Sequence, residues 1–585
     1  MITCDDLTGS VKFAPSDKFL GTEGRGNAAE LDPNCPMGPD EDYCLFMTGL
    51  LLPTDRPVTD RGERVVTQPK APRRARLARL LIAWPYVIPL LVLSVVYGRT
   101  VQRSTGNQFS VDTAKFDYLG LVLGTAHPPG YPLYTMLNAA FVRIVPWGSV
   151  ALRANLLSAV FAILACLVAV FIFIKLGVRP VLAAGGATAL GLIPQLWHFA
   201  LIAEVYTLGI LFVALVLACL LAYDATSRPV WLRAGLLIFA LSLAHATSQV
   251  LLIPGLLLYL AVRRPAWLFR PRELARLLPL GAALALLPYA YLLWRTAVGA
   301  PLLDTRVTGL TSFWEVISGA RYSGQMFGVP LHQIISERLP QLSSYAIQQF
   351  SVALLACAIG LLMLIRQRPL VAAITGLWAT CTAVFVLGYA IGDWETMLLP
   401  LWFLLGLWGV VGIDRCVGGL SSRARWASAL MAITLPVVAL ASGYAEADRS
   451  SVDQQQDVDA ALKVVPDNSI IFTFDNGTRH QFWYRLLPGD VESRRNVWAA
   501  MGTNPRDRSD RAGQIRQYCA TSSGLWIWST QEKAAGPGVP PDLKTYVYGS
   551  TYARQVQKSG LRVTRYSGQL FSVSCSSYGA AGWGG

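Results

Sequence analysis

Asp112, Asp117, His127, Glu204, His245, Asp393 and Glu395 stand out in a chain whose side chains are mostly apolar. Carboxylates and imidazoles take, give or orient protons, and guanidinium groups pair with anions. Arg143, Arg153, Arg295 and Arg321 fall in the same parts of the sequence. Among them runs "GTAHPPGYPLY", residues 124–134, which cannot be helix interior. Pro128 and Pro129 carry no N–H, so the segment can lie at a lipid interface with few unsatisfied donors. Pro128 biases His127 to an extended backbone, and Gly130 permits a sharp bend. Tyr131 and Tyr134 suit the headgroup layer. The flanking stretches "TAKFDYLGLVL" and "LYTMLNAAFVRIV" read as short amphipathic helices lying on the membrane surface. The turn is expected to join them and to present Asp112 and His127 to a shared cleft. Blander roles also fit. Asp112 before "TAKF" suits a helix N-cap, and His127 an interfacial hydrogen bond. Arg295 suits a snorkelling span end, and Asp393 with Glu395 the start of a helix.

The elements that must position these residues are membrane helices. The chain has 585 residues, 53% hydrophobic and 15% charged, with mean hydropathy +0.42. Long Leu-, Ala- and Val-rich runs recur between residues 81 and 443, each able to cross a bilayer core of about 30 Å. They do not alternate, which excludes a transmembrane barrel. The sequence therefore predicts a polytopic α-helical membrane protein with about 11 transmembrane helices: 81–98, 151–174, 180–197, 200–223, 230–246, 248–262, 277–294, 347–365, 370–390, 397–413 and 427–443. Lys70, Arg73, Arg74, Arg76 and Arg79 precede the first span and place the N-terminus in the cytoplasm. Alternation then puts every strongly basic loop inside, and the first-named carboxylates and histidines outside or near the outer face. Ionisable groups brought to one face by several spans point to a site there. The net charge of +14 is largely topology and lipid headgroup contact, and nucleic acid is not an expected partner.

Three regions follow: 1–75, a disordered or misassigned extension with Met47 a possible initiator; 76–444, the membrane domain with its outer loop 99–150; and 445–585, an external soluble α/β domain. In the last, "VDAALKVVPDNSIIFTFDNGTRHQFWYRLL" reads as helix, turn, strand, turn, helix, and "GLWIWST" and "GQLFSVSCS" as further strands. No cleavable signal peptide is read at the start. Of ten cysteines, Cys519 and Cys575 lie in the exported region and are expected to pair. No nucleotide-binding glycine loop, zinc-protease motif or other recognised metal motif is present.

The stretch "DTAKFDYLGLVLGTAHPPGYPLYTMLNAAF", with "RANLLSAV" and "AEVYTLGILF" after it, resembles a bacterial membrane family long labelled a domain of unknown function. That family is similar to the protein O-mannosyltransferases of the glycosyltransferase-C superfamily. "LSLAHATS", "YLLWR", "ISGARYSGQMF" and "IGDWETMLLP" extend the resemblance over roughly residues 80–400. The family usually shows Asp-x-x-Glu where this chain has Asp112-Thr113-Ala114-Lys115.

The resemblance implies a glycosyltransferase-C-like fold and an inverting transfer of a sugar from a polyprenyl-phosphate donor to a protein hydroxyl or envelope glycan, on the outer face of the cytoplasmic membrane. Such a reaction needs a carboxylate at the acceptor hydroxyl and cations over the departing phosphate. Asp112 is then the expected base, with Glu204 and His127 as catalytic partners. Lys115, Arg153, Arg295 and Arg321 are candidate phosphate contacts. Asp117, Tyr131, Tyr206, His245, Tyr322, Asp393 and Glu395 are candidate substrate contacts. No cofactor beyond the donor lipid is assigned, no metal ligand is named, and a divalent metal is left open. The alternatives are a transporter or flippase of a lipid-linked sugar, and an inactive scaffold of envelope assembly.

Overall fold

The computed structural model describes residues 73–106, 112–300, 303–419, 424–466, 469–473, 476–486, 497–501, 544–558 and 560–574. The expected extension before residue 73, the strand "GLWIWST" and the pair Cys519 and Cys575 lie outside these residues. The apolar runs are helices, the one open structure that satisfies its backbone within a single segment in lipid. Among the described residues six helices are long and apolar enough to cross a membrane: Val150–Lys175, Tyr206–Thr226, Pro271–Ala297, Pro369–Gly388, Trp394–Gly418 and Arg425–Ala447. Two bent pairs raise the number to as many as eight. Pro180–Gly191 meets Pro194–Ala200 at 69°, and Leu331–Phe350 meets Ala353–Gln367 at 96°. Expected spans 230–246 and 248–262 correspond to shorter apolar helices, Pro229–Leu243 and Thr247–Arg263. Expected spans 180–197 and 347–365 fall on the bent pairs and 81–98 within the 28-residue helix Arg73–Thr100, and hydropathy does not show where breaks interrupt an apolar run. One such break matters for the site. The chain leaves the helix ending at Ala200 and re-enters only at Tyr206, so Glu204 sits in a buried loop rather than inside a helix.

Four helices build the end of the bundle that carries the ionisable residues: α1 (Thr113–Val122), α2 (Pro132–Ile144), α3 (Val150–Lys175) and α4 (Tyr206–Thr226). α1 is not the surface-lying amphipathic helix expected from its sequence. All of its residues but Leu121 are buried, because α2, α3 and a helix from the C-terminal region pack around it. α2 is amphipathic, burying Tyr134, Thr135, Asn138 and Val142 and exposing Met136, Leu137 and Ile144. Gly120 lets α1 approach α2 closely: a Cβ there would stand 2.6 Å from the Ala139 backbone nitrogen. Asn138 Nδ2 donates to the Phe116 carbonyl across the same contact at 3.2 Å. At the start of α3, Ser149 Oγ accepts from the Leu152 amide at 3.1 Å and Tyr484 Oη from the Ala151 amide at 3.3 Å. Two amides left without intrahelical partners are thereby satisfied.

The C-terminal region follows the expected order. Helix Gln455–Val464 leads to strand β1 (Ser469–Thr473), then helix α5 (Asn476–Leu486). β1 joins β2 (Val497–Met501), β3 (Lys544–Tyr548), β4 (Arg562–Ser567) and β5 (Leu570–Ser574) in a sheet of order β2-β1-β3-β5-β4. The β1 pairings are parallel, and β5 is antiparallel to both β3 and β4. β1 is buried along its whole length, as the inner strand of a mixed sheet requires. α5 packs directly on α1.

Candidate active site

Lys115 is the centre of the site. Its side chain is 1% exposed, and Nζ lies 2.7 Å from Asp112 Oδ1, 3.2 Å from Asp304 Oδ2 and 2.9 Å from His127 Nδ1. Asp112 Oδ2 is 3.6 Å from the same imidazole nitrogen. The helix spacing explains the first contact, since positions three apart share a face. The turn after α1 explains the contact with His127. The Gly130 amide donates to the His127 carbonyl at 2.7 Å, the Pro128–Pro129 bond is cis, and Gly130 and Tyr131 take positive φ values of 87° and 41°. Asp304 arrives by a separate route. Leu303 bridges Thr125 in parallel, the Asp304 amide donates to the Thr125 carbonyl at 3.1 Å, and Thr305 Oγ1 donates to the Ala126 carbonyl at 2.5 Å. The segment after Arg295 is thus stapled to the segment that precedes His127.

Burial alone would raise the Asp112 pKa, but Lys115 and His127 outweigh it and hold the carboxyl at about 2. Burial would likewise lower Lys115, yet Asp112 and Asp304 push the ammonium up to about 12. Both therefore carry full charge at neutral pH. His127 is pushed below 6.5, first by burial and then by Lys115. A neutral imidazole beside an ammonium must accept at Nδ1, because the ammonium has no lone pair. Its proton then sits on Nε2, which leaves that nitrogen a donor. Asp112 occupies the N-cap position of α1 but makes no side-chain capping bond, and its side chain keeps 32% exposure.

Behind this cluster lies a second acidic group. Glu204 Oε1 accepts from Thr113 Oγ1 at 3.2 Å, and its backbone exchanges hydrogen bonds with Ser158 Oγ at 3.3 Å. Asp117 is fully buried. Burial lifts its carboxyl well above the ordinary range, Glu204 adds to the rise, and the Thr105 hydroxyl and Gly106 amide oppose it. Asp117 thus favours its protonated form. Tyr131 stands between the two histidines, its ring centroid 5.3 Å from His127 and 6.3 Å from His245. Tyr206 hydrogen-bonds Thr396 at 3.0 Å.

The arginines divide by what they touch. Arg153 Nη1 donates to the Val142 and Val145 carbonyls at the end of α2, and Arg295 to the Leu123 and Val122 carbonyls at the end of α1. Arg143 clamps Gly120, Leu121 and Ala139. Apart from the Ala139 carbonyl within α2, these three satisfy carbonyls at the ends of α1 and α2, the role basic residues commonly fill there. Arg321 is exposed and close enough to act on the charge state of His127. Tyr322 is close enough to feel Lys115, Asp112 and Asp304. Asp393 is exposed at the start of the Trp394–Leu398 turn, and Glu395 lies beside Arg338, whose guanidinium stacks on Trp394. Neither carboxylate contacts Lys115.

Two site residues were not legible as such. Asp304 sits in "LLDTRVTG" beyond the Arg295 span, where only its acidity next to Arg306 marks it. His480 on α5 lies 2.6 Å through Nδ1 from Tyr118 Oη of α1. Burial pushes His480 well below its ordinary value, and Arg479, Lys115 and His127 add to the effect. With Lys115 seated between Asp112, Asp304 and His127, no group of three or more His, Cys, Asp or Glu side chains among the described residues is disposed to hold a metal ion.

With this geometry in hand, the likeness to known proteins falls on the same residues. Residues 112–267 match the Protein O-mannosyl-transferase TMEM260 N-terminal domain. The match begins at Asp112 itself. Protein O-mannosyl-transferase TMEM260 of Mus musculus is 34% identical over 213 residues, 34% of this chain and 29% of that protein. The chain thus aligns with about three tenths of that relative's length. Among solved structures, ArnT from Cupriavidus metallidurans bound to undecaprenyl phosphate superposes with a TM-score of 0.57 at 13% identity, covering 84% of this chain and 98% of ArnT. Its apo state gives 0.54 at 12%, with 85% and 98% covered. The resemblance read from the sequence is borne out, and the fold is of the glycosyltransferase-C type.

Proposed function

We propose that the protein transfers a sugar from a polyprenyl-phosphate donor to a hydroxyl of a protein or envelope glycan, on the outer face of the cytoplasmic membrane. The observation that carries this reading is Asp112: an ionised, part-exposed carboxylate that makes no side-chain capping bond to α1, fixed beside a charged lysine and a neutral imidazole. It lies in the region that matches the O-mannosyl-transferase domain, and the similarly folded ArnT holds a polyprenyl phosphate. The basic loops support the outer placement through the positive-inside rule.

The acceptor oxygen attacks the anomeric carbon from the side opposite the phosphate. The bond from that carbon to the phosphate oxygen breaks, its electron pair leaves on polyprenyl phosphate, and the configuration inverts. The hydroxyl proton passes to Asp112. A carboxyl held at about 2 is a weak base, so it orients the hydroxyl and takes the proton late, once the new bond has made it acidic. Lys115 is committed to two carboxylates, so the departing phosphate falls to the His127 Nε2–H donor and to Arg321. Glu204, Asp117, Tyr131 and His245 are assigned to sugar or acceptor hydroxyls. Purified protein should release polyprenyl phosphate from a labelled polyprenyl-phosphate mannose only when a Ser/Thr peptide or glycan acceptor is added. Movement of the intact donor across vesicles without release would favour a flippase instead.

A further inference from the structure

Lys115 Nζ is ringed by two carboxylates and one imidazole: Asp112 Oδ1 at 2.7 Å, His127 Nδ1 at 2.9 Å and Asp304 Oδ2 at 3.2 Å. These are the hard oxygen and nitrogen donors that a divalent cation takes. Each comes from a different stretch of backbone, and each is fixed by its own device: the first turn of α1, the Gly130 turn and the Thr125–Thr305 staple. An ammonium buried to 1% exposure has no bulk water to offset its desolvation, so the surrounding anions must do so. We propose that the Lys115 ammonium is a built-in cation, covalently tethered at the point where these three groups would otherwise gather a divalent metal, and that it frees the site from any metal requirement.

Three consequences separate this from an ordinary buried ion pair. With Lys115 in place the pocket is filled, and donor contacts of 2.7–3.2 Å suit an N–H donor rather than a metal, whose bonds to oxygen run about 2.0–2.6 Å. With Lys115 truncated, the two carboxylates lose the ammonium that lies between them, and proximity of like charges raises the pKa of one of them. The same vacancy leaves two carboxylate oxygens and Nδ1 within about one ångström of metal-ligand distance. Lys115 is therefore a positioning residue. It acts through Asp112, keeping that carboxylate ionised and aimed, and does not itself touch the reacting atoms. Asp304 is its second anchor.

The effect on turnover rests on the sugar-transfer reading; metal binding does not, and the two are read separately. Mn2+ is titrated into detergent-solubilised full-length protein and followed by its electron paramagnetic resonance spectrum. The parent should bind no Mn2+ at the site, and its donor turnover should be unmoved by EDTA or by added Mn2+. Lys115→Ala should bind Mn2+ at least roughly 10- to 100-fold more tightly, the span by which a change around a metal site moves affinity. Lys115→Ala/Asp304→Asn should lose most of that gain. In EDTA, Lys115→Ala should turn over poorly with its acid limb shifted to higher pH, and Mn2+ should restore both. If Lys115→Ala does not accumulate, Lys115→Ser is purified with and without Mn2+, and a folded yield that rises with Mn2+ counts for the proposal. Parent turnover that EDTA abolishes, or truncated variants that fold yet bind no more Mn2+ than the parent, would overturn it. If no variant and no parent transfers sugar, the functional reading fails while the Mn2+ titration still decides this one.

Discussion

Asp112, Lys115 and His127 could be picked out in the sequence because a helix start and a proline turn bring them together within sixteen positions of one another. Their charge states could not, since those depend on Asp304 and on burial. The signs are definite. Asp112 falls from 3.8 to about 2 on folding, so its contribution to stability is fully present above its unfolded value and is lost as pH drops through the folded one. The difference in melting temperature between the parent and Asp112→Asn should stay constant from pH 7 to about 4 and narrow below that. His127 is lowered from 6.5, so the imidazole is neutral at pH 7 and charging it would set two cations side by side. The acid limb of turnover should therefore lie below pH 6.5; a limb above it would contradict the assigned tautomer.

The helical runs and the turn at Gly130 were legible as elements because apolar length and proline chemistry are local properties. The burial of α1 was not. Its sequence suits a surface helix, and only the packing of α5 against it, from hundreds of residues downstream, closes its outer side. The staple between Thr125 and Thr305 was invisible for the same reason. Thr305 is buried, so Thr305→Val keeps its shape and removes the bond to the Ala126 carbonyl. It should cost about 1 kcal/mol of stability and lower turnover by loosening Asp304, with Lys115 and Asp112 still present. A variant as active as the parent would show that the staple does not position the cluster. Tyr118→Phe tests the other tie. Losing the hydroxyl leaves buried His480 Nδ1 without its 2.6 Å partner, at roughly 1–3 kcal/mol, readable as a lower melting temperature in detergent.

At the scale of the whole molecule, the glycosyltransferase-C fold was implied by the HPPGYP resemblance and is borne out, while six described helices, or as many as eight with the bent pairs, have full spanning length against about eleven spans read from the sequence. Orientation is predicted from charge. Reporter fusions after residues 226 and 268 should read cytoplasmic, and fusions after residues 310 and 580 external. An external reading at 268 would scatter the ionisable cluster over both faces. The most direct measurement is donor turnover by Asp112→Asn against the parent, both reconstituted, with polyprenyl-phosphate mannose and a hydroxyl acceptor. Asparagine can cap a helix as well as aspartate does, and it has no charge with which to orient and deprotonate a hydroxyl. A folded, inserted variant is expected whose release of polyprenyl phosphate falls roughly 10²–10⁴-fold; near-parental release would remove Asp112 from the chemistry and contradict the proposed function of this site.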